Sequence, residues 1–102
     1  MKTLITIAAL ALASVGAHAA KSAKDEFCTF YAGAADSIMT ARQAGASLEQ
    51  MLAVSDRHPE VREVTRLLTI QAFKVPRFST ERFRTDAVQD FRNAAHLHCL
   101  TN

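Results

Sequence analysis

The stretch from Asp25 to Gly45, DEFCTFYAGAADSIMTARQAG, reads as one amphipathic helix. Apolar residues recur at helical spacing through Phe27, Tyr31, Ala34, Ala35 and Ile38, which predicts that this face turns inward. Asp25 and Glu26 stand at the start, Arg42 near the end and Gly45 just beyond it. Acid first and base last suit the helix dipole, and glycine suits the residue that stops a helix. Lys21 to Lys24 reads as a frayed polar lead into it. Phe27, Phe30 and Tyr31 together carry more aromatic surface than one stripe can bury, so Phe30 is expected at the surface, over a neighbouring bridge or marking a contact.

The remainder continues the pattern. Ser47-Leu48-Glu49-Gln50 has Ser and Gln at capping-box spacing, so a short helix starts at Ser47, with Leu48, Met51 and Leu52 on its apolar side, and ends near Ser55 to His58. Pro59 suits the first position of a third helix, because a missing N–H is harmless there. Val61, Val64, Leu68, Ala72 and Val75 share one face of that helix, widened by Leu67 and Phe73, until Pro76 ends it. A fourth helix begins after Ser79 or Thr80, with Phe83, Ala87, Phe91, Ala94, Ala95 and His98 on its inward face. There is no repeat, linker or low-complexity tract. The fold class predicted is all-α, a small bundle of about four helices of which one is short.

Two cysteines fit that layout. Cys28 lies one turn into the first helix and Cys99 one turn from the end of the last. If the two helices, each about twenty residues long, pack antiparallel, the start of one meets the end of the other and a bridge can close. In an oxidising compartment an even pair reads as a disulfide, stabilising by roughly 4 kcal/mol for a loop of this length.

The compartment comes from the N-terminus. Lys2, the uncharged apolar run from Leu4 to Val15, Gly16 and the small-x-small Ala17-His18-Ala19 have the layout of a cleaved signal peptide. Residues 1–19 are read as that peptide, with cleavage after Ala20 as the alternative, and 20–102 as a single helical domain. As a helix the run would rise only about 18 Å against a hydrocarbon core of about 30 Å, so it is not a span. The expected location is the periplasm or the outside. Loss of Lys2 takes the twelve basic residues to eleven against ten acidic, a balance that points away from nucleic acid.

Signals for chemistry are thin. His96 and Cys99, three apart on a helix, could share a metal, but zinc wants further ligands and only His58 and scattered carboxylates remain. A Cys–His nucleophile needs the thiol that a disulfide removes. Glu60 and Glu63, near Asp56 and beside Arg62 and Arg66, make an ordinary solvated helix face. With Gly33 and Gly45 alone after the signal, no phosphate loop or serine elbow can be built. We therefore expect no catalytic residues, no metal and no cofactor. The notable segment runs from Lys74 to Arg84, where Lys74, Arg77, Arg82, Arg84 and two aromatics gather around one turn with only Glu81 opposing. The four bases are candidate contacts for an anionic partner: lipid headgroups, envelope polysaccharide or an acidic protein surface. The plainer reading, which weighs more, is that they solvate the turn while Phe78 and Phe83 plug the core.

The signal peptide, the cysteine opening the first helix, Ala41-Arg42-Gln43-Ala44-Gly45, Lys74-Val75-Pro76-Arg77 and Cys99 in the last helix together resemble a group of small exported, all-helical proteobacterial or phage-encoded proteins of unknown function. The resemblance covers most of the chain beyond the signal and implies an envelope location, but no activity. The chain is also loosely similar to periplasmic acid-stress chaperones in size, helicity and single long-range disulfide, but lacks their tryptophans and charged tails. The function expected is that of a non-enzymatic exported binding protein whose partner is a protein or an anionic envelope component. A stress chaperone and an inhibitor of an envelope enzyme are the alternatives, and a membrane-surface effector rests on the basic turn alone.

Overall fold

The computed structural model describes residues 22–102. The signal peptide read over 1–19, with its alternative cut at Ala20, lies outside them. Four helices follow in order: α1 (Ala23–Ala44), α2 (Leu48–Asp56), α3 (Arg62–Phe73) and α4 (Glu81–Thr101), with a 3₁₀ turn at Pro59–Val61. No strand occurs among the described residues.

The ends follow from local chemistry. Ser22 accepts from the Asp25 N–H at 3.1 Å, so α1 begins at Ala23 and the polar lead is capped rather than frayed. Gly45 closes α1 at φ 103°, a conformation that disfavours any side chain. Ser47 and Gln50 form the expected reciprocal box at 3.1 and 3.0 Å. Pro59 opens the 3₁₀ turn rather than α3 itself. At α4 the cap is Thr80, which accepts from the Phe83 N–H at 3.3 Å.

α1 and α4 are antiparallel. Cys28 is bridged to Cys99, and Asp36, two turns further along α1, meets Arg92, two turns back along α4, at 3.1 Å. α3 lies on another side of α1, with Leu68 against Ala35, and α2 leans on α3. α3 and α4 both pack on α1 and barely on each other.

Having two neighbours explains where the predicted faces went wrong. The buried stripe of α1 is Cys28, Ala32, Ala35, Met39 and Gln43. These mostly small side chains let two helix backbones approach closely. Tyr31, Ala34 and Ile38, on the expected face, pack partly buried against the cluster of Ala35, Leu68 and Ala95, while Phe27, expected inside, is 48% exposed. Phe30 is exposed, as expected. On α4, Ala87 and Ala95 are buried and Phe91 half-buried, whereas Phe83, Ala94 and His98, all assigned to the inward face, are exposed. α3 buries Leu68 and Ala72 as expected, along with Thr69, and leaves Leu67 exposed.

Candidate interaction site

The turn from Lys74 to Thr80 is held by one buried side chain. Gln43, 2% exposed in the last turn of α1, donates from Nε2 to the Pro76 carbonyl at 2.9 Å. Its Oε1 accepts from the Phe78 N–H at 2.9 Å. An extended segment around Pro76 cannot satisfy its own backbone groups, and the amide, as donor and acceptor at once, does it for them.

Of the four predicted basic contacts, two are built into this turn. Arg77 Nε donates to the Gln43 carbonyl at 3.0 Å, and Arg84 Nε donates to the Phe78 carbonyl at 2.7 Å. Lys74 and Arg82 are exposed. A fifth base, missed in the sequence, stands with them. The Arg42 guanidinium lies 4.5 Å from the Phe73 ring centre, donates from Nη2 to the Val75 carbonyl at 3.3 Å, and keeps a buried Nε without a partner. Among the described residues none of these five bases pairs with a carboxylate; the ion pairs use Asp36, Asp56 and Glu60 instead. Phe78 is half-buried, but Phe83, 6.1 Å from it ring to ring, is 55% exposed and plugs nothing.

These roles separate in a titration. Arg84→Ser should lower stability by about 1–2 kcal/mol, since a charged donor leaves a carbonyl. The double substitution Lys74→Ser, Arg82→Ser should stay within about 0.5 kcal/mol of the parent in urea unfolding.

Below the turn, where α3 barely packs on α4, a groove follows α4, walled by the turn above and by α3 and Tyr31 below. Its upper part, about 510 Å³, lies among Val75, Phe78, Phe83, Ala87, Phe91 and Ala94, with Asp86 and Asp90 on the α4 rim. Its lower part, about 480 Å³, lies among Tyr31, Leu67, Leu68, Gln71, Phe91, Ala94 and His98. Phe91 and Ala94 belong to both, so the two parts adjoin along α4. Phe27 extends the aromatic surface past Tyr31, 6.2 Å away.

The other signals end differently. The Cys99 sulfur is in the disulfide, so it is neither a ligand for the pair with His96 nor a nucleophile, and no free cysteine remains. His58 lies 3.8 Å from Glu60, and Arg62 and Arg66 both lie 3.8 Å from Asp56. No group of three His, Cys, Asp or Glu side chains gathers among the described residues, and none of their helices is long and apolar enough to cross a membrane. Compared with family models, with curated proteins and with solved structures, the chain finds no match.

Proposed function

We propose that this is an exported, non-enzymatic interaction protein that holds an apolar stretch of a partner polypeptide in the α3–α4 groove. The observation that carries the reading is the groove itself, two adjoining apolar hollows along α4 lined by Leu67, Phe83, Phe91 and Tyr31. Apolar surface of this extent, rimmed by polar groups, marks binding sites in monomeric proteins. The unpaired bases at its upper end give the partner a polarity, with acidic residues seated against Lys74, Arg77 and Arg82. Export is supported by the signal-like residues 1–19 and by a disulfide, which persists in oxidising compartments. An inhibitor of an envelope enzyme is one form such a protein takes; a chaperone would use the same groove with many clients.

The test places a photo-cross-linking residue at Ala94, in the groove, or at Gln89, on the polar face, in protein recovered from the cell envelope. The recovered chain should have the mass of one starting at Ala20. One stoichiometric adduct should form from position 94 and not from 89, and Lys74→Glu with Arg82→Glu should abolish it. Equal yield from both positions, or indifference to the charge reversal, refutes the reading.

A further inference from the structure

A second cavity, unconnected with the groove, opens between α1, α2 and α3. α2 is tied down at both ends. Its start is fixed by the Ser47–Gln50 box and by the Ala46 N–H, which donates to the Ala41 carbonyl at 3.0 Å. Its end is fixed where the buried Ser55 hydroxyl meets that of Thr65 and donates to the Arg62 carbonyl at 3.2 Å. Between these anchors α2 leans on α3 and hardly touches α1, so a wedge of about 320 Å³ is held open instead of collapsing.

The lining dictates the occupant. Ile38 and Ala41 form one wall, Met51 and Val54 another, and a thioether adapts to ligand shape. The hydroxyl protons of Ser55 and Thr65 are already engaged, that of Thr65 by Ser55 and that of Ser55 by the Arg62 carbonyl, and with Ser37 and Thr69 they expose little polar surface to the wedge. Water in the wedge therefore finds few partners, and an apolar molecule displaces it without loss. No Lys, Arg, Asp or Glu side chain lines the wedge, and the one titratable group, His58, stands largely in solvent. A charged ligand would lose hydration with nothing to replace it. The volume is roughly twice the ~150 Å³ of a cavity that takes up benzene. We infer that this wedge is a binding site for a neutral, apolar small molecule of about two fused rings, or an alkyl chain of similar volume.

Indole serves as the probe, with ¹³C-methyl spectra of the oxidised protein as the readout. Saturable ring-current shifts should appear at Met51 and Ile38, and not at Leu67 in the groove. Val54→Trp, at an exposed position on the mouth, and Ala41→Phe, which fills the wedge, should each weaken binding at least roughly tenfold. Ala94→Phe, in the groove, should leave it unchanged. Indole-3-acetate should bind at least roughly tenfold more weakly than indole. Should Ala41→Phe fail to fold, Val54→Trp alone decides. Non-saturating shifts, shifts centred on Leu67, tight binding to the Val54→Trp protein, or equal affinity for the anionic analogue would each overturn the assignment.

Discussion

Reduction of the Cys28–Cys99 bridge, or its removal in a Cys28→Ala, Cys99→Ala protein, should lower unfolding stability by about 4 kcal/mol and the melting temperature by about 15–30 °C. The bridge joins residues 71 apart in sequence, so on the chain-entropy account it withholds much of the unfolded chain's freedom. A domain of this size holds about 4–12 kcal/mol in total, so the loss takes a third of its stability at the least. The position of the bridge adds to its effect. α2 and α3, at 9 and 12 residues, cannot cover the full length of α1 and α4, at 22 and 21. At the end that carries the cysteines, Phe27, Phe30, Leu97 and Leu100 stay about half exposed, so the large side chains there bury only part of their surface. Calorimetry with and without reductant measures the effect, and a loss below about 1 kcal/mol would show that packing alone holds the terminal helices. Such a bridge persists in oxidising compartments, which links the fold to the proposal of export.

Helix ends were legible in the sequence because they are set by chemistry within a few residues. Ser47 with Gln50, Thr80 and Gly45 behave in the structure as their types and spacings predict. The pairing of Cys28 with Cys99 was legible for another reason, since two cysteines allow one intramolecular bridge. Helix faces were less so. The stripe traced on α1 includes Ala35, which is buried, and Phe27, which is exposed, but it misses Cys28, Ala32 and Met39, which are fully buried. Periodicity tells that a face is apolar but not which of two neighbours it meets. For the same reason the groove could not be foreseen: it exists because α3 and α4 share α1 and not each other, a relation between elements distant in sequence. Arg42 reads from the sequence only as a dipole partner at the helix end. One signal did point inward: Gln43 continues the Cys28, Ala32, Ala35, Met39 stripe at helical spacing, and a polar residue on a buried stripe needs a partner.

Gln43, buried and bonded to two backbone groups of the turn, should be sensitive to substitution. Gln43→Met keeps the volume but removes both bonds, leaving the Phe78 N–H and the Pro76 carbonyl unpaired at the mouth of α1. Each unsatisfied group costs about 1–3 kcal/mol, reduced where water can reach it, so the expected loss is about 2–4 kcal/mol. Gln43→Ala adds a cavity to the same two losses and should be at least as damaging. The comparison isolates the mechanism: if Gln43 acts by filling space, Gln43→Met is nearly silent, and if it acts as a clamp, Gln43→Met falls close to Gln43→Ala. Hydrogen exchange supplies the local readout. In Gln43→Met the Phe78 amide should exchange through local opening of the Lys74–Thr80 turn, while amides beside Ala35 and Leu68 still need global unfolding. The groove should suffer in step, because Phe78 and Val75 form its upper wall and a loosened turn no longer holds them opposite Phe83. A Gln43→Met protein with parental stability and a protected Phe78 amide would show that the turn is held by its apolar contacts, and the two arginine bonds to Gln43 and Phe78 would then be ornaments of the surface rather than parts of the clamp.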